Sequence, residues 1–302
     1  MNAAKRTVDI FPILSMSGLF VVAYLIAFLV AGPFEAAGAV AFENPSDPLN
    51  IAYFFAILLI FTAIILVIIK LRKPNIIRAI FLGSITVLSI YVFYPVLNLV
   101  ISGGWITLGL SISASIALLI LLIKKPEWYI IDAIAMLTGI GAIAMIGISL
   151  NIWIVIVLLI AMAVYDAFSV YKTKHMIDLA DSIMDQKLPV MFVIPKKRGY
   201  SLLKKTKGLK EKLQEGEPRE AYFLGLGDVV FPGILAVAAF HNLVSNGLLV
   251  ALSVLAGTLI GFMALMVLVA KGKPQAGLPF LCSGAILGYI ISNLAMFGLL
   301  QL

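Results

Sequence analysis

The stretch 222-YFLGLGDVV-230 places an aspartate, Asp228, at the start of a long apolar run. The residues that follow it, 229-VVFPGILAVAAF-240, carry no charge. A carboxylate inside hydrocarbon costs roughly 2.5–3.5 kcal/mol on insertion scales, and acids in such positions usually serve a function. Asp228 is therefore the first candidate functional residue, and the segments around it decide the fold.

The whole chain is apolar. Its 302 residues are 62% hydrophobic and 12% charged, with a mean hydropathy of +1.11. A run of about 20 apolar residues can cross a bilayer as a helix, and runs of this length are helices because only helices or closed barrels satisfy the backbone in lipid. The sequence predicts an all-α membrane protein with nine transmembrane helices. The predicted spans are Phe11–Ala31, Leu49–Ile69, Ile76–Val100, Trp105–Ile123, Tyr129–Gly147, Asn151–Tyr171, Ala221–Val244, Gly247–Ala270 and Gly277–Leu300.

The basic residues predict the orientation. All 22 Lys and Arg fall in the N-terminal segment and in the even-numbered connections between the predicted spans, with Arg78, at the start of span three, counted with the second connection. Positive loops stay in the cytoplasm, so we expect a cytoplasmic N-terminus, a cytoplasmic loop 172–219 and an extracytoplasmic C-terminus. The net charge of +7 is explained by this topology, with some attraction to the lipid bilayer, and we expect no nucleic-acid partner.

A second acid lies deep in a predicted span. Asp166, in 161-AMAVYDAFSV-170, is about five residues from the cytoplasmic end of span six, and Asp228 is about seven from the same end of span seven. At 1.5 Å per residue, both lie roughly 8–11 Å deep on consecutive antiparallel helices. Gly225 and Gly227 allow close helix contact, and Pro232 leaves the Asp228 carbonyl without its helical amide partner. We expect the two carboxyls to meet.

Two carboxyls at close distance hold one proton between them. In an aspartic protease, the charged carboxylate takes a proton from water while the neutral one gives a proton to the substrate carbonyl. The same pair could relay protons in a proton-coupled transporter, or only hold two helices together. The residues alone leave these three interpretations open, although no second copy of either aspartate motif occurs in the first five spans, as a transporter with internal repeats would show.

The motifs resemble those of a known family. Tyr165 and Asp166 in "VYDAF", together with "GLGD" formed by Gly225, Leu226, Gly227 and Asp228, resemble the Tyr-Asp and Gly-x-Gly-Asp motifs of the presenilin and signal peptide peptidase family. The span count, the long sixth loop and the order of the motifs resemble it too, and the predicted orientation is that of presenilins. The chain looks most like an archaeal presenilin homologue. The resemblance implies an intramembrane aspartic endopeptidase with Asp166 and Asp228 as catalytic residues, supported by Tyr165, Gly225, Leu226 and Gly227.

The family's third motif, Pro-Ala-Leu, is incomplete in this chain. The segment 274-PQAGLPFL-281 supplies Ala276, Gly277, Leu278 and Pro279, without a Pro directly before the Ala. The resemblance implies that these four residues bind substrate beside the aspartates. We expect Gly277 and Pro279 to hold a non-helical backbone at the mouth of span nine, with the Leu278 side chain directed toward the aspartates or a substrate pocket.

The long sixth loop contains three kinds of segment. Residues 175–187 have the apolar spacing of an amphipathic helix at the interface. The stretch 188-LPVMFVIP-195 is β-branched and bounded by prolines, which is typical of a strand or a membrane-touching segment. The remainder is polar and charged. Asp132, near the start of span five, is interpreted as a first-turn residue that the helix dipole favours.

These observations predict one membrane domain, 1–302, made of spans one to six in 1–171, a cytoplasmic loop in 172–219, and spans seven to nine in 220–302. The predicted activity is hydrolysis of peptide bonds in transmembrane segments, with water as nucleophile. The lone Cys282 and the two separated histidines suggest no metal site, and no organic cofactor is implied. The expected partners are transmembrane substrates and lipid, and a homo-oligomer remains open.

Overall fold

The computed structural model describes residues 10–71, 74–101, 103–173, 188–196, 200, 221–243, 245–269 and 275–298. Within these residues the chain forms nine α-helices and one two-stranded sheet. The helices are α1 (Ile10–Ala36), α2 (Leu49–Lys70), α3 (Pro74–Asn98), α4 (Gly104–Lys124), α5 (Trp128–Ile148), α6 (Ile152–Phe168), α7 (Leu226–Asn242), α8 (Gly247–Val269) and α9 (Leu278–Phe297). The strands are β1 (Met191–Pro195) and β2 (Ala221–Gly225), and a short π-helical turn, Ser169–Thr173, follows α6.

Eight of the nine helices are long and apolar enough to span a membrane, and α7 is a shorter apolar helix of 17 residues. The predicted start of span seven at Ala221 is wrong, because residues 221–225 form β2 and the helix begins at Leu226. The apolar composition is continuous across this boundary, so hydropathy gives no sign of it. Asp228 consequently lies in the first turn of α7 and not two turns inside a helix.

Of the two interpretations of 188–195, a strand or a membrane-touching segment, the strand is found, as β1. It pairs with β2 in antiparallel register, with Met191 opposite Gly225 and Pro195 opposite Ala221. The Leu226 amide extends the ladder by donating to the Val190 carbonyl at 3.0 Å. The sheet therefore brings the end of the long loop directly to the start of α7. The predicted amphipathic helix at 175–187 lies outside the described residues, as does the polar segment 196–220 apart from residues 196 and 200.

Helix α7 is the centre of the bundle. Residues 234–239 are fully buried, and α7 packs against α1, α5, α6, α8 and α9. Small residues bring the backbones close: a Cβ on Gly147 of α5 would lie 2.7 Å from the Val237 Cβ, and one on Gly233 would lie 2.8 Å from the Tyr24 ring. The outer helices present apolar side chains such as Ile57, Trp105 and Ile260, each at least 65% exposed, as expected for surfaces in contact with lipid.

Helices α8 and α9 are in backbone contact. A Cβ on Gly257 would overlap the Gly284 carbonyl oxygen, and a Cβ on Gly261 would overlap the Phe280 carbonyl oxygen. Small residues at such positions are the usual means of close helix packing in membranes. This contact fixes the N-terminal end of α9, which is where the third motif lies.

Candidate active site

Asp166 lies in the last turn of α6 and is only 9% exposed. Its Oδ2 accepts a hydrogen bond from the Leu278 backbone amide at 3.1 Å. The Gly277 amide also interacts with this carboxyl. Asp166 therefore faces the N-terminus of α9, where unpaired amides and the helix dipole favour a negative group.

Asp228 lies in the first turn of α7 and is partly buried. Gly225 caps the helix in an extended conformation, with φ −62° and ψ 138°, and its backbone interacts with the Asp228 carboxyl. The same carboxyl lies against Gly277, because a Cβ built there would be 2.9 Å from Oδ1 and 3.1 Å from Oδ2. A side chain at 277 would displace the carboxyl, so glycine is needed for this contact.

The structure thus brings the two predicted aspartates together. Gly277 contacts Asp228, the next residue, Leu278, contacts Asp166, and the two carboxyls interact electrostatically. Pro232 lies inside α7 four residues after Asp228, so the Asp228 carbonyl has no helical amide donor. The end of α6, the start of α7 and the start of α9 form a site with two carboxyls.

The backbone predicted for the third motif is wrong. Gly277 has helical dihedrals, φ −79° and ψ −48°, and its carbonyl accepts from the Phe280 and Leu281 amides at 3.2 Å each. Pro279 lies in the first turn of α9, where its fixed φ suits the helix and its missing N–H is not needed. Leu278 is 7% exposed within the apolar core, and Ala276 is fully buried. Leu278 reaches the site through its backbone amide, which donates to the Asp166 carboxyl.

The predicted supporting residues have different roles in the fold. Leu226 packs against Gly139 of α5, where a Cβ would lie 2.9 Å from the Leu226 Cδ1. Gly227 has ordinary space, with its nearest outside neighbour, Phe231, at 3.5 Å from a Cβ built there. Tyr165 is 39% exposed, and no hydrogen bond of its side chain is found within the described residues. Of the supporting set, Gly225 contacts the Asp228 carboxyl, since a Cβ built on it would lie 3.2 Å from the Asp228 Oδ2.

Two further contacts, which were not predicted, join the elements that surround the site. The Asp132 carboxylate accepts a hydrogen bond from the Val193 amide at 2.8 Å, which ties β1 to α5. The Tyr171 hydroxyl bonds to the Gln275 side chain at 2.9 Å, which ties the segment after α6 to the residues before α9. Asp132 was recognisable as an acid near a span end, but its partner is 61 residues away and carries no sequence signal. Among the described residues, no three His, Cys, Asp or Glu side chains are grouped to hold a metal ion.

Comparison with known proteins shows which family has this arrangement. A family model described as signal-peptide peptidase, presenilin aspartyl protease matches residues 17–298. The chain belongs to this family.

Two solved structures, each of a presenilin family intramembrane aspartate protease, are similar to this protease over most of its length. The first, in a C222 crystal form, is 30% identical with a TM-score of 0.70, and the match covers 94% of this chain and 99% of that one. The second, in a P2 form, is 31% identical with a TM-score of 0.68 and coverages of 94% and 98%. A comparison with curated proteins found no match. The family resemblance, the all-α membrane fold and the class of enzyme, an intramembrane aspartyl protease, are confirmed.

Proposed function

We propose that this protease cleaves transmembrane segments of other proteins with Asp166 and Asp228 as its catalytic pair and water as the nucleophile. The contact of the adjacent residues Gly277 and Leu278 with one carboxyl each is the observation that carries the proposal. It puts two acids from different helices at one place inside an apolar bundle, where a shared proton is the favourable charge state.

The proposed reaction uses both protonation states of the pair. The ionised carboxylate takes a proton from water, and the resulting hydroxide attacks the scissile carbonyl carbon. The neutral carboxyl gives its proton to the carbonyl oxygen, which yields a neutral tetrahedral intermediate. Proton transfer to the leaving nitrogen then breaks the C–N bond and releases a new amine and a new carboxyl terminus.

The start of α9 is proposed to position the carboxyls and to form one wall of the substrate site. The Leu278 amide fixes one Asp166 oxygen, and Gly277 fills the space beside Asp228 without a side chain. Ala276 and Pro279 flank these contacts within the same segment. In this proposal, residues 276–279 position the aspartates and also contact the substrate.

A helical substrate must unwind before cleavage, since its carbonyls are held in helical hydrogen bonds. In lipid the freed backbone groups need new partners. Strand β2 ends at Gly225, three residues before Asp228. We propose that the unwound segment pairs as a strand beside the β1–β2 hairpin, which aligns its peptide bonds with the carboxyls.

The orientation proposed from the basic residues places the site near the cytoplasmic face. Asp166 is near the C-terminal end of α6 and Asp228 near the N-terminal end of α7, and both ends adjoin the basic loop 172–219. This arrangement gives water a short route to the carboxyls. We propose that the chain is one membrane domain with its C-terminus outside the cytoplasm.

The water step is tested by isotope labelling. Purified protein in detergent is incubated with a single-span substrate in water enriched in ¹⁸O, and the fragments are weighed by mass spectrometry. We expect one ¹⁸O atom in the new C-terminus and none in the new N-terminus. Intact substrate, accompanied by proton-driven uptake of a solute into vesicles that hold the protein, would instead support the transporter alternative.

A further inference from the structure

Strand β1 has one edge that pairs with β2 and one edge that faces away from it. In an antiparallel ladder, residues that bond to the partner strand alternate with residues whose backbone groups point away from it. The Leu226 amide donates to the Val190 carbonyl. In the register of the hairpin, Phe192 and Ile194 are therefore the next residues of β1 that bond to β2. The amide of Val193, which lies between them, points away from β2.

This outward edge of β1 is covered by an acid of α5. The Val193 amide donates to the Asp132 Oδ1 at 2.8 Å. Pro195, the next residue that faces the same way, has no amide hydrogen to offer. Proline at an outward position is typical of a strand edge that takes no further partner. Two successive outward positions of β1 thus offer no amide to another strand.

The surroundings of Asp132 are apolar, which makes a carboxylate there costly. The acid is partly buried, and a cluster of buried apolar residues surrounds its place in α5 and includes its hydrogen-bond partner: Ile130, Ile131, Ile134, Val193 and Ala221. A polar group in such surroundings is destabilising unless a hydrogen bond compensates for its lost hydration. The bond to the Val193 amide provides that compensation, and no apolar residue at 132 could form it.

The hairpin connects this bond to the carboxyl of Asp228. Met191 of β1 lies opposite Gly225, the last residue of β2. A Cβ built on Gly225 would lie 3.2 Å from the Asp228 Oδ2, so the carboxyl lies against this backbone. A displacement of β1 on α5 would therefore move the backbone that the Asp228 carboxyl contacts.

We propose that Asp132 is a positioning residue for proteolysis, which holds β1 on α5 and thereby keeps Gly225 in place beside Asp228. The same bond denies the outward edge of β1 at Val193 to an unwound substrate. The inference rests on the proposed catalytic role of Asp228. A misplacement of about 1 Å can slow an enzyme about a hundredfold, so the loss of one restraint on the hairpin should be visible in kcat.

Substitutions at position 132 separate the hydrogen bond from the fold. Asp132→Leu and Asp132→Ala remove the acceptor, and we expect kcat to fall at least about tenfold in both, with little change in KM and a Tm within a few degrees of the wild type. Asp132→Asn retains an oxygen acceptor and should restore the wild-type kcat. Ala133→Leu, at the exposed neighbouring position, is the control for added apolar bulk and should cleave normally. Hydrogen exchange in fragments that contain Val193 should be faster in the Leu and Ala variants only.

Three results would overturn the proposal. Asp132→Leu could cleave like the wild type although Val193 exchanges faster, or exchange could stay unchanged in both the Leu and the Ala variant. Cleavage could also fall only in proportion to lost folded protein, or fall equally in Asp132→Asn, which would show that the hydrogen bond has no positioning role. A failure of the catalytic proposal would appear differently, as cleavage by Asp166→Asn, and the exchange measurement requires no substrate.

Discussion

At the residue scale, Gly277 is the position where one added carbon atom would disturb a catalytic carboxyl most directly. A Cβ there would lie 2.9 Å from the Asp228 Oδ1, closer than real Cβ contacts come. We expect Gly277→Ala to lower kcat at least about tenfold, equivalent to about 1.4 kcal/mol in the barrier, with a Tm close to that of the wild type. Cleavage rate and thermal unfolding are measured on the same purified protein.

Gly109→Ala on α4 is the matched control for Gly277→Ala, since nothing lies within 4 Å of a Cβ at that position. It should cleave at the wild-type rate. If Gly277→Ala were as active as this control, or if it lost activity only in proportion to lost folded protein, the contact with Asp228 would have no catalytic role.

A shared proton also has a consequence for pH. Activity requires one carboxyl charged and one neutral, so the cleavage rate should follow a bell whose two limits belong to the pair and not to either residue. The rate is measured from mildly acidic to alkaline pH, with circular dichroism to show that the protein stays folded. A flat profile over that range would argue against a singly protonated pair.

The pairing of Asp166 with Asp228 could be predicted at this scale, because both acids lie at similar depth in adjacent apolar segments. The contacts of these two carboxyls with α9 could not be predicted. The Leu278 amide is 112 residues from Asp166 in sequence, and a backbone donor leaves no mark on residue type. The amide contact of Leu278 was therefore not predicted, while the direction of its buried side chain toward the aspartates or a substrate pocket stays a prediction.

At the element scale, the hairpin beside α7 gives a test of how substrate binds. In an antiparallel ladder, only alternate residues of a strand donate to the same neighbour. We expect N-methylation of alternate substrate residues near the cleavage site to slow cleavage strongly, while methylation of the intervening residues has little effect. The rates of a series of singly methylated single-span peptides are compared. Equal effects at all positions would contradict strand pairing.

The sequence predicted eight of the helices to within a few residues of the described ends, because each has enough apolar residues to cross a bilayer. For the region of β1, the β-branched residues and flanking prolines indicated a strand or a membrane-touching segment, and the structure has the strand. The prediction missed β2, because 221-AYFLG-225 is as apolar as the helix that follows it, and its pairing with Met191–Pro195 is decided by tertiary contacts. Because α7 begins at Leu226 and not at the predicted Ala221, Asp228 lies in the first turn of the helix.

At the scale of the whole molecule, the distribution of basic residues predicts which side each connection faces. We expect a cysteine in place of Ser46, between α1 and α2, to react with a membrane-impermeant thiol reagent on intact cells. A cysteine in place of Lys125, between α4 and α5, should react only after the membrane is opened. Cys282 is buried and can remain in both variants. The reverse pattern of labelling would invert the proposed orientation.

The central claim is that Asp166 and Asp228 together hydrolyse the substrate, and substitution of each acid by its amide tests it most directly. Cleavage of a single-span substrate by purified protein is measured for Asp166→Asn, Asp228→Asn and Asp132→Asn. The third variant is the matched control, because Asp132 is a partly buried acid whose oxygen can still accept from Val193 as an amide. We predict that the first two variants remain folded and lose cleavage by at least about a thousandfold, within the range of general acid–base catalysis, while Asp132→Asn stays active. Substantial cleavage by Asp166→Asn or Asp228→Asn would contradict the account.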